Sequence, residues 1–152
     1  MLGGQAWAAT DVKVGVLLMA DSPWPFDLKK IGPAIEEGKI RALDEFGVNM
    51  QLVYHTYPGN CPLAATLGYI VELTNANPDL HAVLGPSCSE SLIGVARLAE
   101  YLELPMISGV GDLVVRNPAN HDMYETLTVL SYSITKLSRE SLKISLLYFL
   151  GL

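Results

Sequence analysis

The chain has 152 residues, enough for one sizeable core and short for two lobes. A formal net charge of -6, with ten Lys and Arg that nowhere cluster, excludes a binder of nucleic-acid phosphates, and no run of about 18 apolar residues is present to span a bilayer. At 50% hydrophobic and only 17% charged, the composition is rich for a free-standing soluble domain and implies surface that a partner covers.

Residues 1–11 read as a disordered start or a residual signal segment. Ala6-Trp7-Ala8 has the small-x-small form of a signal-peptidase site, yet a basic start and a long apolar stretch are both missing, so a clipped precursor and an ordinary irregular start stand side by side. Val12 to Met19 is almost entirely apolar, which predicts a strand covered on both faces. A loop rich in Pro and Trp, Ala20 to Asp27, leads to a helix for which Asp27 is the cap. Its apolar positions Ile31, Ala34, Ile35, Ile40, Leu43 and Phe46 recur near helical spacing, and Gly47 is placed to end it.

Met50 to Tyr57 is a second strand and Pro58-Gly59-Asn60 a turn. A helix from Cys61 to Leu73 ends before Asn77-Pro78. A third strand over His81–Leu84, a third helix over Ser87–Leu102 and a fourth strand over Pro105–Ser108 follow with hardly a linking residue. Beyond Gly109 to Asp112 and a polar link through Asn117-Pro118, a fifth strand is expected near Glu125 to Leu130, with a helix from about Ser131. Strands alternating with helices of this length give right-handed crossovers, so the fold class is α/β with a doubly wound parallel sheet. Residues 12–141 form one lobe; the strongly apolar 142–152 is an atypical tail.

In such sheets ligands sit at the carboxyl ends of the strands, where helix amino termini offer unpaired N–H groups. Leu84-Gly85-Pro86-Ser87-Cys88 is the segment best suited to that task, running from strand through tight turn into helix. The competing explanation is that Ser87, Ser89 and Ser91 only cap and solvate the helix start. Enzyme motifs are missing. The loop after the first strand has no glycine, which rules out a dinucleotide fingerprint or phosphate loop, and Gly85-Pro86-Ser87-Cys88-Ser89 lacks the second glycine of a nucleophile elbow. His55, His81 and His121 have no metal-ligand spacing, and Asp21, Asp27 and Asp112 are explained by capping and turn chemistry. Cys61 and Cys88 each follow a predicted strand, and if those strands are parallel neighbours the two cysteines share one edge of the sheet; a bridge and two free buried thiols both fit, and the redox compartment decides between them.

Leu84-Gly85-Pro86-Ser87-Cys88, Val95-Ala96-Arg97-Leu98-Ala99 and Leu104-Pro105-Met106-Ile107-Ser108 resemble the amino-terminal lobe of natriuretic-peptide receptors and receptor guanylyl cyclases. Lys30-Ile31-Gly32-Pro33-Ala34-Ile35, Leu127-Thr128, Tyr132 and Lys136 support the likeness. It covers about Val12 to Lys136 and places the chain in the wider type I periplasmic-binding-protein superfamily, Rossmann-like in architecture and incomplete because the second lobe is absent. The resemblance implies an extracellular sensor, dimeric through its first lobe, whose full-length parent binds a peptide hormone and can carry an intracellular guanylyl cyclase; this lobe itself is no enzyme. It also implies a Cys61–Cys88 disulfide and an oxidising setting.

Receptors of this type hold chloride on two backbone N–H groups, here those of Ser87 and Cys88, together with the hydroxyl of a serine seven residues ahead of the first cysteine. Counting back from Cys61 puts the bulky Tyr54 at that place. Small-molecule members of the superfamily hold polar ligands on the turns after strands three and four, which here means Ser87, Ser89, Ser108 and Gly109. For Ser108-Gly109-Val110-Gly111 a plain flexible turn is the competing explanation. The alternative function is accordingly an amino-acid-type binding lobe, and a flavodoxin-like enzyme is more distant. No metal is expected.

Overall fold

The computed structural model describes residues 9–60, 62–111 and 124–130. Eight elements follow in chain order: β1 (Thr10–Ala20), α1 (Leu28–Phe46), β2 (Val48–Pro58), α2 (Leu63–Ala76), β3 (Ala82–Leu84), α3 (Ser89–Tyr101), β4 (Met106–Ser108) and β5 (Leu127–Val129). The strands form one sheet in the order β2-β1-β3-β4-β5, and every pairing is parallel. The expected helix from Ser131, the tail 142–152, most of the irregular start and the link through Asn117 lie outside the described residues.

β1 is the spine, with Val14 and Val16 to Met19 buried. Its apolar run fits a central strand covered from both sides. On one face Leu17, Met19, Val83 and Met106 pack against Ile70 and Leu73 of α2 and Leu92, Val95, Ala96 and Ala99 of α3. This is the main core. On the other face α1 lies over β1 and β2.

Local chemistry sets the ends of α1 where the sequence puts them. The Asp27 carboxylate accepts the Lys29 N–H at 2.9 Å and the Ser22 N–H at 2.6 Å, fastening both the helix start and the loop before it. Gly47 sits in the left-handed region at φ 66°, its N–H bonded to the Leu43 carbonyl at 3.0 Å.

Four expectations need correction. The six apolar positions of α1 do not form one buried face: Ile31 and Ile35 are half-buried, whereas Ile40, Leu43 and Phe46 are 54%, 46% and 74% exposed. The helix covers only the edge of the sheet, so one stripe finds strands beneath it and the other finds none. α2 starts at Leu63 rather than Cys61, because the Pro62 carbonyl accepts both the Thr66 N–H and the Thr66 hydroxyl at 2.8 Å. α3 starts at Ser89, with Cys88 rather than Ser87 in the capping position. Finally, the strands preceding the two cysteines are not neighbours, since β1 lies between β2 and β3.

Candidate functional site

The carboxyl ends of β1, β2, β3 and β4 share one rim, and the turn after β3 is its pivot. Gly85 has φ 116°, and a Cβ there would run into the Leu17 carbonyl oxygen, so only glycine lets this turn press against β1. Its N–H donates to the Ile107 carbonyl at 2.8 Å. The following Gly85-Pro86 bond is cis. Ser108, fully buried, fixes the turn from the β4 side: its hydroxyl donates to the Pro86 carbonyl at 3.0 Å and accepts the Val110 N–H at 3.2 Å.

Ser87 is the hub of this rim. Its N–H donates to the Tyr57 hydroxyl at 2.9 Å, its own hydroxyl lies 3.1 Å from the Tyr57 oxygen in a second hydrogen bond, and that hydroxyl also accepts the Met19 N–H at 3.2 Å. Tyr57 is 2% exposed and Ser87 7%. Burial pushes the Tyr57 phenol above its usual ionisation range, while the two Ser87 contacts pull partly back. The phenol is therefore neutral at ordinary pH and can donate and accept at once. Its ring stacks with that of Tyr69 of α2, the ring centres 6.4 Å apart and the planes at 18°, and Tyr69 in turn meets the tilted ring of His55 at 5.4 Å.

The five ligand candidates therefore divide. Ser87, Cys88 and Ser108 are buried, and the two serines are committed to internal hydrogen bonds; Ser89 and Gly109 face out. Ser91, one of the suspected capping residues, is also buried and reaches the Thr66 hydroxyl at 3.2 Å, joining α3 to α2. Cys61 lies outside the described residues.

Tyr54 is not the residue that reaches the turn. Its hydroxyl donates to the Glu36 carboxylate of α1 at 2.6 Å, and desolvation followed by that carboxylate pushes its ionisation up to about 12. Side chains alternate along β2, so Tyr57 belongs with Val53 and His55 on the α2 face and Tyr54 points the other way. That parity was visible in the sequence; a residue count back from Cys61 ignores it.

Two exposed aromatics missed by the sequence reading, Trp24 at 58% and Phe26 at 40%, stand on the loop after β1. The loop is well tied down. Ser22 accepts the Trp24 N–H at 3.2 Å, Lys30 donates to the Pro23 and Trp24 carbonyls at 2.6 and 2.8 Å, and Lys29 pairs with Asp21 at 2.6 Å. Trp24, Gly59, Asn60, Cys88, Ser89 and Glu90 line one open hollow on the rim. The histidines have local roles: His55 faces Glu72 at 3.4 Å, and the His81 Nδ1 accepts the Lys13 N–H at 3.1 Å. His121 and Asp112 lie outside the described residues.

The family model described as the receptor family ligand binding region matches residues 39–144. The chain belongs to that family. Among curated relatives it is 35% identical over 113 residues to the atrial natriuretic peptide receptor 3 of Rattus norvegicus, covering 68% of this chain and 21% of the receptor. To the Bos taurus receptor of the same name it is 33% identical over 135 residues, covering 83% and 25%. The chain thus spans between a fifth and a quarter of the length of these relatives.

Solved structures agree at the level of fold. A substrate-binding protein of an ABC transporter from Sphaerobacter thermophilus superposes with a TM-score of 0.55 at 20% identity, over 81% of this chain and 33% of that one. The branched-chain amino acid binding protein LivJ of Streptococcus pneumoniae, solved with isoleucine, gives 0.52 at 18%, over 79% and 33%. One third of a two-lobed binding protein matches a single lobe, and the architecture is that of type I periplasmic binding proteins. The chain is thus a member of the receptor ligand-binding-region family that is similar to natriuretic peptide receptors and has the fold of a single lobe. Among the described residues no helix is long and apolar enough to cross a membrane.

Proposed function

We propose that this chain acts as the first lobe of the extracellular ligand-binding region of a cell-surface receptor that takes a peptide ligand, with no catalysis of its own. One observation carries this beyond family membership: the rim spends Ser87 and Ser108 on its own turn and presents instead Trp24, Phe26, Ser89 and Gly109. Small polar ligands are fixed by a few convergent, available polar groups in an apolar pocket. An exposed aromatic surface with small neighbours suits a polypeptide better. In this reading Ser89 and Gly109 meet the ligand, while Ser87, Cys88 and Ser108 position the rim beneath it.

The same reading includes a Cys61–Cys88 disulfide. Asn60, next to Cys61 in the chain, shares a hollow with Cys88, and no cysteine among the described residues is a free thiol. It also includes a homodimer, for which the exposed apolar strip Ile40, Leu43 and Phe46 on α1 and the pair Tyr101 and Leu102 at the end of α3 are the available faces. Cyclase activity belongs to the parent receptor, if that receptor is of the cyclase type, and not to this lobe.

The test is a chimera in which residues 10–130 replace the corresponding segment of the rat receptor's ligand-binding region. Displayed on cells, it is expected to bind atrial natriuretic peptide and to ignore leucine and isoleucine. A displayed chimera that binds an amino acid and not the peptide would overturn the proposal in favour of the small-molecule reading.

A further inference from the structure

We propose that the Tyr57 hydroxyl occupies the place of the halide in this lobe, so that the Ser87 turn is completed from within the protein and takes no chloride. The family likeness implies an anion on the Ser87 and Cys88 N–H groups. An anion at Ser87 needs that donor unshared and needs open space in front of it. Neither condition is met. The Ser87 N–H already donates to the Tyr57 oxygen at 2.9 Å, and that oxygen is held a second time by the Ser87 hydroxyl at 3.1 Å, itself fixed by the Met19 N–H at 3.2 Å.

The phenol is buried, and its ring is packed against Tyr69. A chloride could reach Ser87 only by expelling an aromatic side chain from the core and giving up its hydration shell in an apolar setting. The phenol oxygen accepts the same N–H without bringing a net charge. The residues present therefore do not fit the ion, and the hydroxyl that does the work comes from Tyr57, not from Tyr54. β2 runs to Pro58 and leaves only Gly59 and Asn60 before Cys61, so the side chain that reaches the turn sits nearer the cysteine than a count of seven residues allows.

The experiment follows the Ser87 resonance in nitrogen–proton correlation spectra of the full chain, titrated with sodium chloride against sodium gluconate at matched ionic strength. The expected result is that Ser87 does not respond to chloride in the wild type. In Tyr57→Ser, which frees the N–H and opens the space, Ser87 should shift saturably with chloride or bromide and not with gluconate. A saturable, chloride-specific shift of Ser87 in the wild type would overturn the proposal, and so would a folded Tyr57→Ser variant with no halide response. If that variant does not fold, the wild-type titration still decides. The readout is the Ser87 N–H alone, so its outcome is independent of which ligand the receptor binds.

Discussion

The Tyr57 hydroxyl and the Ser87 N–H meet at 2.9 Å over the carboxyl end of β1, joining the ends of two strands that are not neighbours in the sheet. β2 carries the phenol, β3 leads into the serine, and β1 contributes the Met19 N–H between them. The Tyr57–Ser87 pair thus ties three strand ends together at the edge where ligands of this fold class are met.

Removing only that hydroxyl should be costly. Tyr57→Phe leaves the Ser87 N–H buried without its acceptor, and a loss of about 1–3 kcal/mol is expected. Tyr54→Phe, which deletes a hydroxyl bonded to a surface carboxylate, should change stability by no more than about 0.5 kcal/mol. Urea unfolding of the two variants, compared by midpoint at constant slope, checks the contrast.

Ionisation at high pH tests the same pair. Both phenols have folded-state ionisation raised above the ordinary value of 10.0, Tyr54 to about 12. Raised values mean that the folded state favours the protonated form. The stability they contribute is therefore complete below pH 10.0 and is lost as pH rises through the folded values. Absorbance at the phenolate band should lag in the folded chain relative to the chain in denaturant, and both Tyr→Phe variants should shrink the lag.

Asp27 makes the opposite prediction at low pH. Its carboxyl is held below the ordinary 3.8, chiefly by the Ser22 and Lys29 N–H groups. A lowered value means that its contribution is present above pH 3.8 and fades as pH falls through the folded value. Asp27→Asn keeps an acceptor for the helix start but removes the titration, so acid unfolding monitored by circular dichroism should lose part of its pH dependence between the wild type and this variant.

Gly85 admits no side chain. Gly85→Ala combines a φ of 116° with a collision against the Leu17 carbonyl, and a destabilisation above about 2 kcal/mol is expected. Gly109, which has open space around it, should accept alanine within about 0.5 kcal/mol. Differential scanning fluorimetry separates the two.

The apolar faces make a prediction about assembly. Sedimentation of the wild-type chain should show a dimer, and either Leu43→Asp with Phe46→Asp or Tyr101→Asp should convert it to monomer. A wild-type monomer at tens of micromolar would contradict dimerisation through this lobe.

Much of this lobe was legible in the sequence because it rests on local chemistry. Asp27 and Gly47 bound α1 through the bonds that caps of those residue types make, and the unbroken apolar run of β1 marks a central strand. What could not be read depends on where elements come to lie. The insertion of β1 between β2 and β3 is a tertiary fact, and without it the strip Ile40, Leu43 and Phe46 looks like core. Ser87 and Ser108 read as ligand-facing because a serine at a strand end does not show whether its hydroxyl turns outward or back onto the chain. Tyr57 was hidden for a related reason: its partner is 30 residues away, and only strand parity distinguishes it from Tyr54.

In the proposed function this lobe folds and works outside the cell, with its ligand rim closed by a covalent link near the Tyr57–Ser87 pair. Mass mapping of the chain secreted from mammalian cells, alkylated before reduction, tests it most directly. The expected result is one cross-linked peptide pair joining Cys61 to Cys88 and no alkylated cysteine. Closing the 28 residues from Cys61 to Cys88 should stabilise by about 3–4 kcal/mol on the chain-entropy model, and reductant should lower the unfolding midpoint to match. Two alkylated cysteines in folded, secreted material would contradict it.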